Sequence, residues 1–167
     1  MTRCGIALGS NIGDRMAHLR AARAALEPLH QGTSAPLVSP VYETEPVDCK
    51  PGDAPYLNAV MEIETDLDPG ALLQALQQIE RSMGRPSEHE RNAPRTLDLD
   101  LLYAGNLTLQ SDELILPHPR ISTRRFVLQP LADLRPELIL PGTDRPVAAL
   151  LSALPLSPAV NPWAQPI

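Results

Sequence analysis

Arg95-Thr96-Leu97-Asp98-Leu99-Asp100-Leu101-Leu102-Tyr103 alternates leucine with aspartate. In a β-strand, residues two apart share a face and lie roughly 7 Å apart. Leu97, Leu99 and Leu101 are thereby predicted to enter a core, and Asp98 and Asp100 to leave the opposite face. Two neighbouring carboxylates repel each other and call for a cation; Mg²⁺ accepts carboxylate and phosphate oxygens. A lone Asp-x-Asp is most often a solvated strand face. Here Arg85, Arg91, Arg95, His118, Arg120, Arg124 and Arg125 flank it on both sides, and arginine is a natural phosphate partner. Many cations around two acids suggest a metal-bridged polyphosphate.

Upstream, residues 85–96 carry no large apolar side chain, so a charged loop is expected there, able to act as a lid. Asp68-Pro69 is a helix start, a cap followed by proline at the first helical position. Leu72, Leu73, Leu76, Ile79 and Met83 form the apolar stripe, and Gly84 ends the helix. Glu80 lies at the edge of that stripe. Residues 56–65 read as a strand with Leu57, Ala59, Met61 and Ile63 on one face. Tyr56 and Asn58 lie on the other with Val60 and Glu62, a face expected to be half-exposed. An aromatic ring beside a carboxamide can stack on and hydrogen-bond a flat heterocycle, although spacing alone favours an ordinary strand.

Residues 36–45 read as another strand, packed through Val38, Val41 and Tyr42. Residues 3–9 alternate Cys4, Ile6 and Leu8 with small residues and read as a first strand. Gly9-Ser10-Asn11-Ile12-Gly13-Asp14 reads as a turn. Asp14 caps a helix with Leu19, Ala22, Leu26 and Leu29 on one stripe. Downstream of the aspartates, Gly105-Asn106 marks a turn and Leu107-Thr108-Leu109 an edge strand. Pro117-His118-Pro119-Arg120 is expected to be rigid and extended. Residues 122–134 read as a helix kinked or broken at Pro130. The resulting order is β-α-β-β-α-β.

With 167 residues, 43% of them hydrophobic, the chain is long enough for one core, and a single domain spanning 1–167 is expected. A net charge of −6 argues against nucleic-acid binding by bulk electrostatics, and 3% aromatic content against an RNA stacking platform. Cys4 and Cys49 make neither a disulfide framework nor a thiolate metal site, which suits the cytoplasm. No signal peptide or membrane-spanning run is present. Pro155, Pro158, Pro162 and Pro166 predict an irregular tail from about 150 to 167.

Four blocks together resemble the 6-hydroxymethyl-7,8-dihydropterin pyrophosphokinase family of folate biosynthesis. They are Leu8-Gly9-Ser10-Asn11-Ile12-Gly13-Asp14-Arg15; Tyr42-Glu43-Thr44-Glu45-Pro46-Val47 with Tyr56-Leu57-Asn58; Pro94 to Leu102; and Leu116-Pro117-His118-Pro119-Arg120 with Arg124-Arg125-Phe126-Val127-Leu128-Gln129-Pro130-Leu131. The likeness covers about residues 3–137. It implies an α+β, ferredoxin-like antiparallel sheet with helices and C-terminal additions. The implied reaction moves the pyrophosphoryl group of ATP to the pterin hydroxymethyl oxygen, with AMP leaving. By position, the resemblance makes Asp98 and Asp100 ligands of two Mg²⁺ ions, with Arg85 and Arg95 beside them in catalysis. It makes Leu72, Leu73, Gln77, Glu80, Arg85, Arg95, His118 and Arg124 the ATP site. Thr44, Val47, Tyr56, Asn58 and Phe126 become the pterin pocket. The chain departs from some members at Ser87, Asn92 and Pro119, where they carry arginine, tryptophan and tyrosine. A monomer is expected, and a pterin- or nucleotide-binding descendant without catalysis is the competing reading.

Overall fold

The computed structural model describes residues 1–44, 54–84 and 96–167. Strand β1 (Thr2–Ser10) occupies the middle of an antiparallel sheet, between β4 (Tyr56–Thr65) and β5 (Asp98–Ala104). Beyond β4 come β3 (Tyr42–Thr44) and then β8 (Val160–Pro162), while β2 (Leu37–Val38) also pairs with β4. Helix α1 (Arg15–Leu26) joins β1 to β2, and α2 (Pro69–Ser82) joins β4 to β5. This element order, with β5-β1-β4-β3 as the spatial order, is the expected ferredoxin-like α+β arrangement.

Both helices start where the caps predict. The Asp14 carboxylate accepts from the Ala17 N–H at 3.1 Å, and that of Asp68 from the Ala71 N–H at 2.8 Å. Their apolar stripes cover one face of the sheet. Leu19, Ala22 and Leu26 of α1 and Leu72 and Leu76 of α2 are buried against Cys4, Ile6, Leu8, Leu57, Met61, Ile63, Leu97, Leu99 and Leu101. The period-two reading of the aspartate strand therefore holds for its leucines.

The other face is not half-exposed. Helices α3 (Arg125–Leu134) and α4 (Val147–Ser152) cover it. Val60, Leu102 and Tyr103 are buried there with Val127, Leu128, Leu131, Leu140 and Val147. This second core also buries Glu62. Its carboxylate accepts from the Tyr103 hydroxyl at 2.6 Å and from Arg135 Nη2 at 2.7 Å. Burial and the Glu62 charge push the Tyr103 phenol far up. They also push the buried Cys4 thiol up to about 11.

Other elements depart from the sequence reading for local reasons. The strand expected over 36–45 is split. Proline at 40 has no N–H for the ladder, and Ser39 takes over by accepting from the Val60 N–H through Oγ at 2.8 Å. The expected strand at 107–109 becomes β6 (Leu109–Gln110), paired with β7 (Ile115–Leu116). Gly105 at φ 54 and the bond from Leu107 N–H to Ala104 C=O carry the turn further than expected. The Pro117–Arg120 run is not extended throughout. Ile121 N–H donates to the His118 carbonyl at 3.3 Å, and a 3₁₀ turn (Ile121–Thr123) precedes α3. Pro130 does not end its helix, which runs on to Leu134. Its missing bond falls on Phe126 in the first turn, and Val127, Pro130 and Leu131 are buried on one side.

The tail is not irregular throughout. Part of it forms α4, and β8 pairs with β3 with Tyr42 opposite Pro162, Glu43 opposite Asn161 and Thr44 opposite Val160. The edge of β3 would otherwise leave polar backbone bare, and Pro162 suits an outermost strand because no further neighbour requires its N–H.

Gly5 lies directly beneath the Tyr103 ring, where an added Cβ would stand 2.3 Å from a ring carbon. The hydroxyl bond to Glu62 keeps that ring from moving away. Gly5→Ala is expected to cost about 1–3 kcal/mol, measured as a lower midpoint in chemical denaturation, with Ala7→Gly as a control free of this clash.

Candidate active site

The register of β1 places the site. Gly9 is opposite Asn58 on β4 and opposite Asp98 on β5, while Ala7 is opposite Val60 and Asp100. Residues directly opposite in an antiparallel pair share a face. Asn58, Asp98 and Asp100 therefore emerge on the face of the second core. Asp98 is half-buried and Asp100 exposed. Gly9 leaves the space between β4 and β5 open; a Cβ there would stand 3.1 Å from Asn58 Oδ1 and 3.6 Å from Tyr56 Cδ1. Tyr56 and Asn58 thus both border the glycine. Asn58 Nδ2 donates to Thr44 Oγ1 at 2.7 Å, and both residues are buried. At the start of α3, the Arg124 guanidinium lies 5.5 Å from the Phe126 ring centre, within cation–π range.

His118 is held at the opposite flank by its backbone, whose N–H donates to the Leu102 carbonyl at 2.8 Å. Its Nδ1 accepts the Arg120 N–H at 3.2 Å, which puts the neutral ring's proton on Nε2. Burial holds the imidazole below its usual value; Asp100 opposes that shift, and Arg124 and Arg120 reinforce it. The ring is therefore an uncharged Nε2–H donor at neutral pH, set between the Asp100 carboxylate and two guanidinium groups.

Two buried polar side chains fasten the aspartate strand. Glu80 Oε2 accepts the Leu99 N–H at 3.0 Å, so this α2 carboxylate occupies backbone at the edge of β5. Ser10 Oγ donates to the Thr96 carbonyl at 2.7 Å and lies 3.3 Å from His18 Nδ1. Ser10 falls in a turn by its sequence, and its role comes from a partner 86 residues away that no local pattern announces.

The structure brings Thr44, Tyr56, Asn58, Asp98, Asp100, His118, Arg124 and Phe126 to one end of one sheet face. The α2 positions lie behind this face, against β5. Leu72 is enclosed in the first core with the β5 leucines, Leu73 is half-buried, Gln77 exposed and Glu80 buried, and Glu80 hydrogen-bonds the β5 backbone. Val47, Arg85 and Arg95 lie outside the described residues, as do the expected lid over 85–95 and its Ser87, Arg91 and Asn92.

A face that sets two carboxylates beside a histidine, an arginine and two aromatic rings suits a transferase acting on a phosphorylated donor and a flat acceptor. Comparison with known proteins gives the class its identity: residues 5–136 match the model of the 7,8-dihydro-6-hydroxymethylpterin-pyrophosphokinase family, and the chain belongs to that family. It is 47% identical over 129 residues to the 2-amino-4-hydroxy-6-hydroxymethyldihydropteridine pyrophosphokinase of Bacillus subtilis, covering 77% of this chain and 75% of that protein. The Pseudomonas aeruginosa protein of the same name is 43% identical over 154 residues, 92% of each chain. A crystal structure of an HPPK-DHPS chain in complex with substrates superposes with a TM-score of 0.72 at 14% identity. That match covers 91% of this chain and 43% of the longer one, and it speaks for the fold.

The His118 environment predicts a titration. Its folded value lies below the unfolded one, so on acidification the unfolded chain takes up this proton first and stability falls with pH. Nuclear magnetic resonance of the ligand-free protein is expected to give a His118 midpoint below the usual imidazole value of about 6.5. A midpoint above it would mean that Asp100 outweighs burial and the arginines.

Proposed function

We propose that this pyrophosphokinase transfers the pyrophosphoryl group of ATP to the hydroxymethyl oxygen of 6-hydroxymethyl-7,8-dihydropterin, using the open end of the β4–β1–β5 face. AMP leaves and the pterin diphosphate is the product, a step of folate biosynthesis. The observation that carries this reading is the row Asn58–Gly9–Asp98. It sets a carboxamide and a carboxylate on either side of a residue without a side chain, which supports a heterocycle on the Asn58 side and phosphate on the Asp98 side.

In this reading Tyr56 and Phe126 stack on the two faces of the pterin. Asn58, oriented by Thr44, hydrogen-bonds the ring edge, and Val47 completes the pocket. His118 donates from Nε2 to a phosphate oxygen, and Arg124, Arg85 and Arg95 neutralise charge on the triphosphate. On the nucleotide side Glu80 holds Leu99 between the two aspartates; Leu73 and Gln77 offer their exposed parts to the nucleotide, and Leu72, enclosed in the first core, supports them from behind. Transfer of this kind depends mainly on positioning and charge neutralisation.

The donor set fits magnesium. Asp98 and Asp100 offer hard oxygens on the open face, and among the described residues no three His, Cys, Asp or Glu side chains gather to hold a metal. A pair of carboxylates that leaves remaining positions to phosphate oxygens and water is how Mg²⁺ is commonly held. Two ions held by Asp98 and Asp100 would supply charge neutralisation at the triphosphate and a lower pKa for the attacking hydroxyl. The protein is further proposed to work as a monomeric cytoplasmic enzyme, with 1–167 as one catalytic domain. Among the described residues no helix is long and apolar enough to cross a membrane.

The test is AMP release from ATP and Mg²⁺ with and without the pterin. AMP is expected only when 6-hydroxymethyl-7,8-dihydropterin is present. Asp98→Ala and Asp100→Ala are each expected to slow turnover roughly a thousandfold, in line with the several kcal/mol that metal charge stabilisation supplies, with circular dichroism unchanged. Near-normal turnover at saturating Mg²⁺ would remove the aspartates from the site. Tyr56→Ala and Phe126→Ala are each expected to weaken pterin binding by about 1–3 kcal/mol with less effect on ATP. Calorimetry showing the reverse order would exchange the two subsites.

A further inference from the structure

Arg15 opens α1, yet a cation at a helix N-terminus opposes the helix dipole. Its neighbours give it another task. Nη1 donates to Glu43 Oε2 at 2.8 Å and to the Pro55 carbonyl at 2.8 Å. Glu43 precedes Thr44, and Pro55 precedes Tyr56, so one guanidinium ties together the residues adjoining two members of the pterin subsite. The ion pair is half-buried, with side-chain exposures of 21% and 32%, and is therefore less screened than a surface pair.

The tail holds the guanidinium from outside. The chain's one tryptophan, Trp163, lies under it at 5.2 Å from the ring centre. Trp163 N–H donates to the Val41 carbonyl at 2.8 Å, which extends the β8–β3 pairing by one bond, and its side chain packs on the first core. Beyond it, Arg20 Nη2 reaches the Pro166 carbonyl at 3.4 Å, and Arg23 donates to the Ile167 carbonyl. The segment after α4 is thus seated along both β3 and α1, and Trp163 is its contact with Arg15.

We propose that Trp163 is a positioning residue for the pterin subsite and acts through Arg15; this rests on the reading of Thr44, Tyr56 and Asn58 as that subsite. The ring face orients the guanidinium, the guanidinium sets the spacing of Glu43 and Pro55, and that spacing sets Thr44 against Asn58 and Tyr56 beside Gly9. The contacts named here run from the tail through α1 to the residues before Thr44 and Tyr56, on the pterin side, so the effect is expected on one substrate.

The experiment compares Trp163→Leu, which keeps apolar packing without a π face, with Trp163→Phe, which restores one. Calorimetry of the full-length variants measures binding of 6-hydroxymethylpterin and, separately, of a non-hydrolysable ATP analogue with Mg²⁺. Trp163→Leu is expected to weaken pterin binding about three- to tenfold, as loss of a partly desolvated cation–π contact would. ATP-analogue binding is expected to be unchanged, and Trp163→Phe to recover most of the loss. Arg15→Gln is expected to match Trp163→Leu, and the double variant to be no worse than either single one; Arg15→Gln also supplies the readout if the tryptophan variant does not fold. Pterin binding weakened by Tyr56→Ala but unaffected by Trp163→Leu would overturn the proposal and leave the subsite reading standing. No loss in either variant would overturn both, and equal losses for pterin and ATP analogue would reduce Trp163 to a general structural role.

Discussion

Strand β1 must pair on both sides at once, and the placement of Tyr56, Asn58, Asp98 and Asp100 depends on that double register. It runs opposite β4 from Thr2–Thr65 to Ser10–Leu57 and opposite β5 from Cys4–Ala104 to Gly9–Asp98, with one shift between Gly5 and Ile6. Side chains alternate along a strand, so a slip of one residue exchanges faces. On β5 a slip would carry Asp98 and Asp100 into the first core and Leu99 and Leu101 out of it. The penalty is both the lost apolar burial and the desolvation of two carboxylates. Ser10 on the Thr96 carbonyl, Glu80 on the Leu99 N–H and Tyr103 across Gly5 mark the same register at three points of the strand pair.

The face that carries the site is divided along its length. Toward Gly5 it is closed: Glu62, Tyr103 and Arg135 neutralise and hydrogen-bond one another beneath α3 and α4. Glu62 is 5% exposed, and such a carboxylate is tolerated only with partners this good. Toward Gly9 the face is open, and its acids remain solvent-accessible. The same three strands therefore supply stability at one end and chemistry at the other. Arg124, at the N-cap of α3, and Phe126 in its first turn stand at the boundary. The tail adds a third contribution by covering the β3 edge and reaching α1.

Features that follow from alternation and capping were legible in the amino-acid sequence. Leu97, Leu99 and Leu101 against Asp98 and Asp100, the Asp14 and Asp68 caps, and the extent of β4 all depend on neighbours within a few residues. The features that were not legible depend on distant partners. Nothing near Val60 and Glu62 announces that α3 and α4 will cover them. Ser39 replaces a backbone acceptor only because Val60 lies opposite, and β8 exists only because β3 has an edge to complete. Pro130 does not break α3 because its missing hydrogen bond falls in the first turn and its buried neighbours hold the helix. In the site, Asn58 and Tyr56 were visible as residue types, but their adjacency to Asp98 needs the register across Gly9. Arg15 stood inside a recognisable motif, yet its partners Glu43, Pro55 and Trp163 are far away in sequence.

The account's central claim is that donor and acceptor meet at the Gly9 end of this face. Amide resonances, followed while 6-hydroxymethylpterin and an Mg²⁺-loaded, non-hydrolysable ATP analogue are added in turn, test it most directly. The account predicts that the pterin shifts residues of the 56–60 and 7–10 segments, and that the nucleotide shifts 96–100 and the surroundings of His118. The Gly5–Glu62–Tyr103 end should remain unmoved by either. Shifts concentrated at that closed end, or no response near Gly9 to either ligand, would contradict it.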